Sequence, residues 1–408
     1  VDRQITERNM RYLVVEIFWS AFFNACVSFN AAYMISLGGS NLLVSLLTSG
    51  GALVNAIATM PFSAMVERSK NRRKLMIGSI NVMRLGHLGL LVIPWFSSWR
   101  AESMLVLLLL LNIPVALFNT IWLPLLGEVI PPARRARVFF ARTITLGITV
   151  TATTFLMGYW LDQAARPFNY QLMYAFAVVA SCLSTVYISR IVAPERPTIN
   201  RTVERPRLSF SGLKQVFVEH RPFANIAVNT LIFNFALWMA APLQPIYFVR
   251  VLGASDGWIG LWTGLVSGGA ILGSIIWSRF IDRRGARWVL VRTTILSSVY
   301  YFLIGFFPDL TLILLFGLLA GLVNPGVDLS HVNVLYDVAP EERRTAFMGG
   351  YTTLMQVGAF VAPLLVAPLT SLIGAQALIL VVASIRLLGG ILFAVNPVKP
   401  ITPRQAEA

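Results

Sequence analysis

Three groups of polar residues interrupt otherwise apolar stretches of this sequence, and their spacing says what chemistry they can do. Asn324, Asp328 and His331 recur at i, i+4 and i+7, one helical face about two turns long. A carboxylate and an imidazole one turn apart can load and release a proton, since histidine titrates near neutrality. Asn81, Arg84 and His87 form a second stripe. A guanidinium there can receive an anionic group, or be satisfied by a neighbouring acid or by carbonyls. Glu16 is a candidate partner for Arg84 or a proton carrier itself, and Arg386 stands at similar depth in the last apolar run. The third group is uncharged: Trp19, Asn24 and Asn30, then Asn229, Asn234, Trp238 and Gln244. Amides and indoles hydrogen-bond without fixed charge, a lining suited to an amphipathic organic solute, although each is individually also a common helix-packing contact.

No enzyme motif accompanies these groups: the sequence has no H-E-x-x-H, no Walker A loop and no G-x-S-x-G. Cys26 and Cys182 are the only cysteines, which excludes a disulfide scaffold and a cysteine-based metal site. The expectation is a protein that is not an enzyme, with no catalytic residue, cofactor or metal.

The elements that must position these residues are apolar runs. The chain has 408 residues, 56% hydrophobic and 12% charged, with a mean hydropathy of +0.71; soluble domains carry about 25% charged residues. Runs near 11–37, 42–66, 75–96, 103–126, 138–161, 171–193, 223–249, 255–281, 288–307, 310–336, 345–370 and 374–396 are each long enough to cross about 30 Å of hydrocarbon as a helix. They are too long, and too uniformly apolar, for barrel strands. Twelve spans put both termini on one side, and the basic residues say which. With cytoplasmic termini, 26 Lys and Arg fall in inner segments and only Arg100, Arg166 and Arg250 in outer loops. The net charge of +15 is thereby explained without nucleic acid. The first run, preceded by a polar arm and lacking a small-residue cleavage site, is expected to stay as the first helix. The polar stretch 194–222 separates six spans from six, giving halves at 1–193 and 223–408. Within it, Leu208 to His220 places Leu213, Val216 and Phe217 on one side of a short interfacial helix.

The halves are duplicates. LGGSNLLVSLLTS from Leu37 aligns with LGASDGWIGLWTG from Leu252 at an offset of 215, which continues to Ser63, Glu67 and Arg68 against Ser278, Asp282 and Arg283. Glu128 to Arg135 matches Asp337 to Arg344 at an offset of 209. Six spans per half make these parallel repeats. The second offset pairs Asp328 with Asn119 and His331 with Trp122, so Asn119 and Trp122 mark the matching face of the fourth span.

The loop Ser63-x-x-x-Glu67-Arg68 with Arg72, Arg73 and Lys74, and its better copy Ser278-x-x-x-Asp282-Arg283-Arg284-Gly285-Ala286-Arg287, resemble the G-x-x-x-D-R-x-G-R-R/K loop of the major facilitator superfamily of secondary transporters. The E/D-x-x-P-x-x-x-R segments closing the fourth and tenth spans are similar to that family's too. The resemblance implies an all-α membrane protein of twelve transmembrane helices in two parallel six-helix repeats. It also implies that the first, fourth, seventh and tenth helices line a central cavity. On that basis Asn119, Trp122, Asn324, Asp328, His331, Asn234, Trp238, Gln244 and Asn24 are expected at substrate; Arg84, on the usually peripheral third helix, joins them by its charge, and the titrating chemistry of Asp328, His331 and Glu16 makes them the expected proton-coupling residues. Glu67, Arg68, Asp282, Arg283, Glu128 and Asp337 are expected to latch an inner gate, with Arg142 and Arg292 beside them. Two features depart from the family: Gly147 to Gly158 carries Thr149, Thr151, Thr153 and Thr154 in place of an antiporter's Gly-Pro motif, and Leu108 stands where many proton-coupled members have arginine.

These observations predict a monomeric secondary transporter in the cytoplasmic membrane, partnered by the lipid bilayer, a small-molecule substrate and protons. It would move an amphipathic organic solute by rocking of the halves. An accessory protein handling lipid or pigment on the same fold, and an uncoupled facilitator, are the competing readings.

Overall fold

The structure, a computed structural model, describes residues 3–69, 71–96, 98–192, 221–338 and 344–396. It contains twelve helices long and apolar enough to cross a membrane, here labelled α1 (Gln4–Ser36), α2 (Asn41–Arg68), α3 (Arg72–Trp95), α4 (Arg100–Val129), α5 (Pro132–Gln163) and α6 (Phe168–Arg190). The second set is α7 (Arg221–Val251), α8 (Asp256–Arg284), α9 (Ala286–Phe306), α10 (Leu310–Val338), α11 (Phe347–Ile373) and α12 (Ala375–Val395). No strand occurs among the described residues. Helix is what hydrocarbon demands, because an open chain in lipid can satisfy its backbone only within itself. The segment 194–220, including the interfacial helix expected there, lies outside the described residues.

Four spans are not single uniform helices, and local chemistry explains three of them. In α1 the Ser28 hydroxyl bonds the Ala25 carbonyl at 2.6 Å and Phe29 N turns back to Cys26 O, so the helix breaks and resumes at Asn30. In α3 the ring of His87 bonds the Met83 carbonyl at 2.7 Å where the helix stops and restarts at Gly89. In α7, Pro242 and Pro245 lack an N–H, and the following turn widens until Leu252 N reaches Tyr247 O at 3.1 Å. The fourth break is at Leu365 in α11.

The chain forms two compact units, Val1–Asn200 with Gly253–Gly268, and Arg201–Leu252 with Gly269–Ala408. In the first, α1 packs on α5 and α6, and α3 and α2 pack on α4, with α3 also touching α6. In the second, α7 packs on α11 and α12, and α9 packs on α10 and α12. The correspondence α1 to α7, α3 to α9, α4 to α10 and α6 to α12 reproduces the internal repeat as a packing pattern. Small residues allow the close approaches that association in lipid requires. A Cβ on Gly389 of α12 would meet the Phe233 backbone of α7 at 2.7 Å, so only glycine lets these helices cross there. At the α8–α9 turn Gly285 takes φ +83°, a conformation other residues adopt with strain.

The start of α8 belongs to the first unit. Ser255 donates to Asp162 at 2.7 Å, while buried Asp256 accepts from Tyr170 at 2.6 Å and pairs with Arg166 at 3.0 Å.

Candidate functional site

The second unit holds a cavity of about 140 Å³ lined by Thr230, Phe233 and Asn234 of α7, Asp328 and His331 of α10, and Phe393 of α12, with Leu290, Val327 and Val332 closing it. Helical spacing puts its polar groups together: Thr230 and Asn234 are one turn apart, as are Asp328 and His331. The His331 ring is fixed by the Thr230 hydroxyl, 2.8 Å from Nε2, with the Tyr351 hydroxyl at 3.4 Å. Asp328 reaches the cavity without such a restraint: it is exposed on the protein surface and makes no ion pair among the described residues. It interacts electrostatically with Arg386, without an ion pair between them. Arg386 is buried behind the cavity wall, its guanidinium 3.9 Å from the centre of the Phe233 ring and 5.4 Å from that of Tyr301, with one long bond to Phe233 O at 3.4 Å. The arrangement is a small chamber with one free carboxylate, one held imidazole and an aromatic wall backed by a cation.

The first unit contains a second buried ionic cluster of a different kind. Arg84 of α3 donates to Ser181 O, to the Thr185 hydroxyl and, at 2.9 Å, to the Ser184 hydroxyl, all on α6. Ser184 passes the contact on by donating to Glu16 at 3.1 Å. The other oxygen of Glu16 pairs with Arg142 of α5 at 2.8 Å, and Arg142 also donates to Leu13 O. The Trp122 ring lies 5.4 Å from the Arg142 guanidinium. One carboxylate thus serves two arginines across four helices, and the guanidinium of Arg84 is turned to α6 and committed there.

The other expected residues separate into three kinds. Asn234 joins Asp328 and His331 at the cavity, whereas Asn324, half-buried one turn away, is not among its lining residues. Several spend their polar atoms on structure. Gln244 donates to Tyr300 at 3.1 Å, Asn229 to Leu392 O at 3.1 Å, Asn24 to its own helix at Ser20 O, and Asn30 accepts from Tyr174 at 2.7 Å. Trp238 packs over Gly358, and Trp19 against Phe18 and Phe22. Asn119 is exposed and Asn81 half-buried, and His87 lies edge-on to Phe23. Of the residues expected to gate, Asp282, Arg283 and Asp337 are exposed at helix ends; Glu67, Arg68 and Glu128 sit in the last turns of α2 and α4, their side chains lying outside what is described. Arg142 is a core residue paired with Glu16 rather than a helix-end latch, and Arg292 lies on the Trp288 ring. Thr230, Phe233 and Phe393 escaped sequence reasoning. Thr230 stands at i−4 from Asn234, a signal that was present; the phenylalanines are indistinguishable from lipid-facing ones by type.

The family model of the Major Facilitator Superfamily matches residues 15–233 and 226–408. A curated relative, the "Staphyloferrin B transporter" of Staphylococcus aureus, is 28% identical over 153 residues, a match that covers 36% of either chain and so about a third of that relative's length. Among solved structures, a POT family transporter in complex with 5-aminolevulinic acid is similar with a TM-score of 0.74 at 13% identity, covering 95% of this chain and 96% of that one. The nucleoside transporter NupG gives 0.73 at 10% identity, covering 95% and 99%. At such identities these likenesses speak for the fold alone.

Proposed function

The chain belongs to the Major Facilitator Superfamily, and we propose that it is a secondary transporter moving a small amphipathic organic solute by alternating access, coupled to protons through Asp328. It is a multi-pass membrane protein; the proposal adds that it sits in the cytoplasmic membrane with both termini inside, and that its halves at 1–193 and 223–408, joined by the 194–222 linker, rock as it transports. The observation that carries the reading is the carboxylate of Asp328, at a cavity within membrane-spanning helices and without an ion pair among the described residues. Intramembrane carboxylates are costly and are retained mainly where they bind substrate or carry protons. The cavity's mix of Asn234, His331 and the Phe233 and Phe393 rings fits a solute with both polar and apolar parts.

The test is uptake into proteoliposomes under an imposed pH gradient. The solute panel is headed by staphyloferrin B, after the relative that matches part of the chain. Wild type should accumulate its solute only with the gradient. Asp328→Asn should lose accumulation yet keep exchange, since the amide hydrogen-bonds but does not titrate. Gradient-independent flux by wild type would instead indicate a facilitator, and no flux across the panel a non-transporting accessory role. Orientation is read separately: Ser98→Cys should react with an impermeant thiol reagent applied outside, and Ala286→Cys should not.

A further inference from the structure

Along the α8–α9 turn of the second unit, from residue 279 to residue 292, five arginines, Arg279, Arg283, Arg284, Arg287 and Arg292, are exposed, and the sequence of that stretch holds one acid, Asp282. Two of them differ from the rest in having a fixed platform. The Arg292 guanidinium lies 3.7 Å from the centre of the Trp288 ring and that of Arg284 4.8 Å. Phe280 stacks parallel to the same indole at 5.9 Å, and Trp277 continues the aromatic row at 5.6 Å from Phe280. Stacking uses the flat face of a guanidinium and leaves its N–H groups directed outward in the plane. Arg292 spends one donor on Trp288 O at 3.4 Å, and neither arginine pairs with a carboxylate among the described residues. In the corresponding turn of the first unit two arginines are tied to backbone instead of to a ring: Arg72 bonds Val66 O at 3.1 Å and Arg73 bonds Ser189 O.

We propose that the Arg284–Trp288–Arg292 platform is a binding site for the phosphodiester headgroup of an anionic phospholipid. The chemistry is complementary: two guanidinium groups held over one indole are suited to the oxygens of a phosphate, which arginine binds bidentately, and tryptophan is enriched where helices meet the headgroup layer. The source of the phosphate follows from position. Both helices leave the apolar span at this turn, α8 ending at Arg284 and α9 beginning at Ala286, and Phe280, an exposed ring one turn back along α8 from Arg284, adds apolar surface beside the platform, while Trp277 beyond it is turned to Leu322 of α10. A lipid offers both halves of that surface a partner, and a free anion only one.

The full chain, purified in a neutral detergent, is titrated with phosphatidylglycerol and, separately, phosphatidylcholine, and bound lipid is counted by native mass spectrometry. Wild type should retain phosphatidylglycerol in preference to phosphatidylcholine, and Arg284→Gln with Arg292→Gln should weaken that binding about thirtyfold, the worth of two basic residues at an anionic surface. Arg8→Gln with Arg11→Gln removes the same charge elsewhere and should change it less than about threefold. Trp288→Phe keeps an aromatic face and should retain binding, which separates loss of the site from loss of the fold. Equal weakening by both arginine pairs would reduce the effect to bulk charge and overturn the site. Displacement of the lipid by millimolar inorganic phosphate alone would overturn the lipid as its occupant.

Discussion

Arg84 in the first unit and Arg386 in the second are equally hidden, each 3% exposed, and each faces its partner in a corresponding helix pair, α3 with α6 and α9 with α12, although the ring nearest Arg386 is Phe233 of α7. The arginine comes from opposite members of the pair: from α3 in one unit, from α12 in the other. Their surroundings differ more. Arg84 meets two hydroxyls, a carbonyl and, through Ser184, the Glu16 carboxylate. Arg386 meets ring faces and one distant carbonyl. A guanidinium bonded on several edges, with a carboxylate shared by a second arginine, is a structural joint. One held by aromatic quadrupoles feels Asp328 electrostatically but forms no ion pair with it. The difference teaches where chemistry is available: an acid satisfied by its arginine holds helices together, and an acid left beside a cavity can change its partner.

The largest expected effect comes from taking the carboxylate out of each region. Glu16→Gln leaves Arg84 and Arg142 buried without a counter-charge and should destabilise the protein by about 3–5 kcal/mol, as breaking buried pairs does. Asp328→Asn should change stability by less than about 1 kcal/mol, because an exposed cavity wall readjusts with water. Thermal unfolding of both variants in the same detergent checks the pair. Equal losses would erase the distinction between joint and site.

Replacing the arginines is the next sharpest comparison. Arg84→Met removes several charge-assisted bonds and should cost about 2–3 kcal/mol. Arg386→Met loses a cation–π contact but also relieves the burial of a charge, so its net cost should be about 1 kcal/mol or less. Denaturant unfolding followed by tryptophan fluorescence gives both numbers. A larger loss for Arg386→Met would mean that Asp328 is its structural partner after all.

Much of this contrast was written in the sequence, and the unread part has a physical cause. The twelve spans follow from run length, because lipid thickness imposes a nearly fixed count of apolar residues. The Asp328–His331 pair is a local signal, since one turn of helix fixes their common face whatever the tertiary packing. Arg84 is the opposite case. A link to Glu16 was anticipated, but not that it runs through Ser184, nor that Arg142 is the direct partner. Serines and threonines in membrane helices usually bond their own preceding turn, as Ser181 does with Val178 O, so the sequence does not mark those that reach a different helix. The breaks in α1 and α3 were equally hidden, because Ser28 and His87 bond local carbonyls that any helix offers.

The finest test removes one hydroxyl from each region. Ser184 accepts from Arg84 at 2.9 Å and donates to Glu16 at 3.1 Å; Thr230 stands 2.8 Å from His331 Nε2. Ser184→Ala and Thr230→Val should each cost about 1 kcal/mol of stability, the net worth of an internal hydrogen bond. Stability therefore does not tell the two apart, but transport should. Losing Ser184 loosens a joint whose arginine keeps its bonds to Ser181 O and Thr185, and leaves the cavity's lining intact. Losing Thr230 frees the His331 ring to turn, with the Tyr351 hydroxyl at 3.4 Å as its remaining partner among the described residues, and so alters the polar wall of the proposed site. Uptake measured across pH should be unchanged for Ser184→Ala and displaced for Thr230→Val. Matching profiles for the two variants would mean that His331 is packing and that Asp328 acts without it.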